Sequence, residues 1–142
     1  MKFKDRPLLL SAALLLSTIG SSLAVLLYFS AAVFFNQTSL LIEKLTNMQT
    51  MQKITPLYFI IFGALYVLSL LGIIKMRGQQ KAGYFFYTGA QVTLLIVPPL
   101  WLGANAFSAT NTIFTLMFIA IYSIFLKSFN NRPDTHYSGL IL

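Results

Sequence analysis

Apolar positions run along this chain in long blocks separated by short polar ones. Residues 8–42, 54–74 and 82–126 contain no Asp, Glu, Lys or Arg. A bilayer hydrocarbon core of about 30 Å is crossed by about 20 residues of helix. The blocks therefore accommodate four crossings joined by short links, and no room is left for a separate water-soluble domain. The expectation is an all-α, integral membrane four-helix bundle, a single domain over 1–142. Its helices fall at about 7–35, 56–74, 82–103 and 109–126, with a polar connection over 36–55 and a cytoplasmic tail over 128–142.

Local signals set these limits. Pro7 suits a first helical turn, where its missing N–H costs nothing. A basic start followed by an apolar run is also how a signal peptide opens. Here the run continues past Ala24 to Phe35, long enough to cross, so an uncleaved first helix is expected. That helix carries small residues four apart, Ala13/Ser17, Ser17/Ser21 and Gly20/Ala24. Such spacing lets helices approach closely and marks Ser17, Gly20, Ser21 and Ala24 as packing candidates, within the bundle or toward a second protein. In the connection, Leu41, Leu45 and Met48 recur at helical steps. They suggest an amphipathic helix at the interface, or an extension of helix one. Asn36-Gln37-Thr38 is a weak match to the N-glycosylation pattern. Thr55 and Pro56 read as the cap and first residue of helix two, and Gly78 as its C-terminal stop. The short link to Lys81 makes helices two and three an antiparallel hairpin. Gly83-Tyr84-Phe85-Phe86-Tyr87 and Trp101 are placed as interface aromatics. Pro98-Pro99 removes two backbone donors and predicts a kink or an early stop.

Composition agrees. Of the 142 residues 57% are hydrophobic and only 9% charged, against about 25% charged in a typical soluble domain. Net charge is +7, from ten Lys and Arg against three carboxylates. The positives cluster at segment ends, so they are read as topology determinants and not as a nucleic-acid surface. Lys2, Lys4 and Arg6, then Lys75, Arg77 and Lys81, then Lys127 and Arg132 share one side of a four-crossing chain. Lys44 and Lys53 lie on the other. The positive-inside rule then puts both termini in the cytoplasm, with the lipid bilayer as the first partner.

Catalytic chemistry finds no residues to carry it. There is no Cys and one His, His136, beside Asp134 in the tail. One His and one Asp do not make a metal site, and the scattered carboxylates form no acid–base pair. No glycine-rich phosphate loop or axial haem ligand occurs. No cofactor and no catalytic residue is expected. The deepest strongly polar side chain is Gln91, which needs a hydrogen-bond partner inside a bilayer. Ser69, Tyr66, Thr88, Thr93, Thr115, Tyr122 and Ser123 are candidates.

The stretch GIIKMRGQQKAGYFFYTGAQ over 72–91, with FIAIYSIFLK over 118–127, resembles a group of small uncharacterised bacterial four-helix membrane proteins. They share a basic turn, a Gly-aromatic-aromatic start to helix three, and a Tyr shortly before a terminal Leu-Lys. The resemblance implies a bacterial inner membrane and no known activity. Two functional readings follow. The first is a non-catalytic membrane protein acting through helix–helix contacts, as accessory subunit or homo-oligomer. The second is a small transporter or lipid-handling protein with a cavity near Gln91 and a kink at Pro98-Pro99.

Overall fold

The computed structural model describes residues 7–45 and 54–129. Lys2, Lys4, Arg6, Lys53, Arg132, Asp134 and His136 lie outside them. The described residues form five α-helices: α1 (Leu8–Val33), α2 (Phe35–Leu45), α3 (Pro56–Arg77), α4 (Lys81–Leu102) and α5 (Ala109–Phe125). Single 3₁₀ turns follow at Ala104–Ala106 and Leu126–Ser128. No strand occurs among the described residues. α1, α3 and α4 are long and apolar enough to cross a membrane, and α5 is a shorter apolar helix of 17 residues. At 1.5 Å per residue α5 is about 25 Å long.

Helix limits follow local chemistry. α3 starts at Pro56 after the extended Thr55 and stops at Gly78. Thr55 holds the cap position without a side-chain bond to the helix. α5 starts after Ser108, whose hydroxyl accepts from the Asn111 backbone N–H. Two expectations change. Helix one does not run to Phe35. Its regular turns end at Val33, Phe34 leaves the helical region, and α2 starts at Phe35. Backbone bonds from Phe34 N to Ser30 O and from Thr38 N to Phe34 O carry the chain across this step, so the described part of the connection, up to Leu45, follows on from helix one, while Met48 lies outside the described residues. Asn36-Gln37-Thr38 is helical within it. α3 reaches Arg77, three residues beyond the expected Ile74. α4 runs through Pro98 and Pro99, within its expected limits of 82–103. It continues to Leu102 and ends at Gly103, whose φ of 102° favours glycine. Two prolines remove two donors, but the residues after them still bond back, as Gly103 N does to Pro99 O.

α3 is the central helix, packed along both α1 and α4. α5 packs more sparsely, against α1 and α4. Two buried clusters lie at opposite ends. Leu10, Ala13 and Leu14 of α1 meet Ile73 and Met76 of α3, Tyr87 of α4, Tyr122 of α5 and Phe129 at one end. Tyr58, Phe59 and Phe62 of α3 meet Leu94 of α4 at the other, with Tyr28 and Trp101 packed against them. This second cluster is aromatic. Tyr58 stacks on Phe62 at 4.3 Å and meets Trp101 edge-on at 5.8 Å. Large apolar side chains also cover the outside, including Leu23, Leu26 and Leu27 of α1, Leu100 of α4 and Ile113 and Ile124 of α5. A surface so rich in apolar groups exceeds what a soluble monomer exposes.

Lys75 and Arg77 end α3, Lys81 starts α4 and Lys127 follows α5. The first cluster ties these ends to the start of α1. Four of the topology determinants therefore share one end of the bundle. Lys75 sits over the Phe86 ring, its Nζ 5.7 Å from the centroid.

Candidate functional site

Between the two apolar clusters lies a layer of hydroxyl and amide groups. Ser17 of α1 and Tyr122 of α5 are 2.7 Å apart, and the Tyr122 hydroxyl donates to the Ala13 carbonyl at 2.9 Å. With its own proton spent on Ala13, Tyr122 accepts from Ser17. This chain is the polar tie between α1 and α5. A second chain joins α1, α3 and α4. The Gln91 Nε2 donates to Ser69 Oγ at 2.9 Å, and Ser69 approaches Ser21 Oγ at 3.5 Å. Ser69 is 0% exposed, so its partners must be protein groups. Inside an apolar surrounding these bonds avoid the cost of a bare polar group. Near the charged end, the Tyr84 hydroxyl is 2.7 Å from Ser123 Oγ, tying α4 to α5.

Not all of the polar layer is satisfied in this way. A cleft of about 350 Å³ opens among α1, α3, α4 and α5, with Ser17, Ser21 and Gln91 in its lining. Its lips are apolar, with Leu16 and Ile19 on α1 and Phe114 and Phe118 on α5. Tyr66, Asn111 and Thr115 also line it. Their side chains make none of the side-chain hydrogen bonds found among the described residues. Thr115 is the informative one, since it is only 5% exposed. Thr18, Thr93 and Thr112 each bond back to the carbonyl four residues earlier, and Thr115 does not. No Asp, Glu, Lys, Arg or His is among the residues lining the cleft.

The packing candidates of α1 divide. Ser17 and Ser21 are buried in the polar layer. Gly20 is exposed, and a Cβ built on it would meet nothing within 4 Å. It lines the cleft, as does the partly buried Ala24. The tightest helix contact is elsewhere and was not foreseen. A Cβ on Gly83 would stand 2.5 Å from the Gly72 carbonyl oxygen and 2.6 Å from the Met76 nitrogen. One on Gly72 would stand 2.6 Å from the Tyr87 nitrogen. The backbones of α3 and α4 touch there. The signal was present: Gly72 and Gly83 are equidistant from the middle of the Arg77–Gly78 step, so an antiparallel hairpin brings them level.

Gln91 finds Ser69, one of its expected partners. Thr93 donates within its own helix, to the Gly89 carbonyl, and Ser123 donates to the Ile119 carbonyl while accepting from Tyr84 across the α4–α5 seam. Thr88 has its Oγ1 buried with no partner among the described residues, and nothing in the structure explains it. Pro98 and Pro99 lie within α4 and do not line the cleft. Among the described residues no group of three His, Cys, Asp or Glu is placed to hold a metal ion.

Comparison of this chain with protein families, with curated proteins and with solved structures gives no match.

Proposed function

We propose that this is a non-catalytic, multi-pass membrane protein in which α1, α3, α4 and α5 each cross the bilayer, and that it works by holding a membrane-dissolved molecule in the α1–α4–α5 cleft. The resemblance noted above makes the bilayer a bacterial inner membrane, and the basic end of the bundle faces the cytoplasm by the positive-inside rule. The cleft at Gln91 carries this reading. Its volume falls within the range of about 300–1,000 Å³ of ligand sites, and its mix of apolar walls with a few converging polar groups is what such sites share. Of the two readings drawn from the sequence, the geometry favours the lipid-handling one.

The helix-contact reading keeps one observation in its favour. Gly20, with open space where a Cβ would stand, and the partly buried Ala24 leave a place where another helix can approach closely. Native mass spectrometry of the whole protein, gently extracted, separates the two. The proposal expects a bound small molecule that is lost when Gly20→Trp or Thr115→Trp fills the cleft. A second polypeptide or a stable homo-oligomer in its place, lost in the same variants, overturns it in favour of an accessory subunit.

A further inference from the structure

We infer that the cleft selects the uncharged, hydroxyl- or carbonyl-bearing head of a lipid, whose hydrocarbon tail lies out between α1 and α5, and that it takes this lipid from the leaflet on the side of the α4–α5 link. The inference rests on the reading of the cleft as a binding site and goes on to name what it binds.

Three observations carry it. The first is the chemistry of the lining. Thr115, Asn111, Tyr66 and the rest of the Gln91 amide offer donors and acceptors that protein groups do not use. Thr115 is more than nine-tenths buried, so its hydroxyl turns to the cleft or goes without a partner. A polar group in hydrocarbon without a hydrogen bond is costly, and a hydroxyl or ester carbonyl in the cleft removes that cost. The second is charge. No cationic or anionic side chain lines the cleft. The basic residues Lys75, Arg77, Lys81 and Lys127 belong to the far end of α3, the near end of α4 and the end of α5. A phosphate in the cleft would lose its hydration with no counter-charge in return, a penalty of a different order from that of a neutral head. The third is shape. α5 is tied down at Tyr122 and Ser123 in its last turns. In its first two turns it has no such ties among the described residues, and Ile113 and Phe114 are exposed there. The cleft therefore opens sideways between Leu16–Ile19 of α1 and Phe114 of α5. Asn111, in the first turn of α5 and one turn after the Ser108 cap, stands at its mouth.

The test uses the full-length protein in lipid nanodiscs and two photoreactive probes with identical acyl chains. One is a diacylglycerol and the other the corresponding phosphatidic acid. The labelled positions are mapped by peptide mass spectrometry. The expected result is labelling of residues 16–24 and 111–118 by the diacylglycerol, at least about fivefold above the phosphatidic acid. Thr115→Val and Asn111→Leu, which break no hydrogen bond of either side chain within the bundle, are expected to lower that labelling about fivefold while the melting temperature stays put. Equal labelling by the two probes overturns selection by an uncharged head and leaves a lipid site that reads tails alone. Labelling spread evenly over the outer surface by both probes overturns the cleft as a binding site altogether. So does cross-linking of residues 16–24 to a second polypeptide.

Discussion

α4 is held on its two sides in opposite ways. Against α3 its backbone comes into direct contact, through Gly83 over Gly72 and Met76. Against α5 it is held by side chains reaching across, Tyr84 to Ser123 and Tyr87 edge-on to Tyr122 at 5.1 Å. The first seam leaves no space. The second props the helices apart, and with α1 it leaves the cleft. In lipid there is no hydrophobic force to draw helices together, so their separation follows the side chains between them. Glycine at a crossing closes it, and tyrosine with serine opens it while keeping it bonded. The same residue type has opposite meanings in the two regions: Gly72 and Gly83 are needed because something is there, and Gly20 is tolerated because nothing is.

Three substitutions press on this contrast. Gly72→Ala has the largest expected effect. In a free helix Ala is favoured over Gly by about 1 kcal/mol, but here the added methyl meets backbone that cannot turn aside, and overpacking costs about 1–3 kcal/mol. The expected net is a loss of about 1–2 kcal/mol, read as a lower melting temperature in mild detergent from the fluorescence of Trp101, the only tryptophan. An unchanged or raised melting temperature would mean that α3 and α4 are not in backbone contact. Tyr122→Phe comes next. It deletes the hydroxyl that ties Ser17 and Ala13 to α5, and intramembrane hydrogen bonds average about 0.6 kcal/mol each. A loss of about 1 kcal/mol is expected, with the Gly72–Gly83 seam intact. Gly20→Ala is the smallest and has the other sign. With open space at its Cβ position, the methyl is expected to stabilise by about 0.5–1 kcal/mol. A loss as large as that of Gly72→Ala would show that α1 packs closely at Gly20.

Much of the helix plan was legible because it rests on composition along one dimension. The charge-free blocks, Pro56 at a start and Gly78 at a stop gave the limits of α3 to within a turn. Gln91 stood out because a lone amide in an apolar run must bond, and Ser69 was among the few groups able to serve it. What escaped were features set by how helices meet. Gly72 and Gly83 are eleven positions apart, and they come level only when both helices are counted outward from the turn together. Gly20 carries a packing signature equal to that of Ser17, yet the two point to different neighbours. The step at Phe34 lies in a run of apolar and small residues that reads as continuous helix. Pro98-Pro99 is a local cost that the helix carries: the expected span of 82–103 already passed through the pair, and the turn after it recovers enough bonds to take α4 on to Leu102.

Only Gly78, Gln79 and Gln80 separate α3 from α4, and Gln79 there holds a left-handed backbone with φ of 63°. So few residues can neither extend into water as a tether nor let one helix wait for the other. As spans, the two would enter a membrane during synthesis as one preformed hairpin, meeting along the glycine contact before α5 has left the ribosome. As a fourth span, α5 would come last to a finished wall, whose side-chain hydrogen bonds to it among the described residues lie near its trailing end.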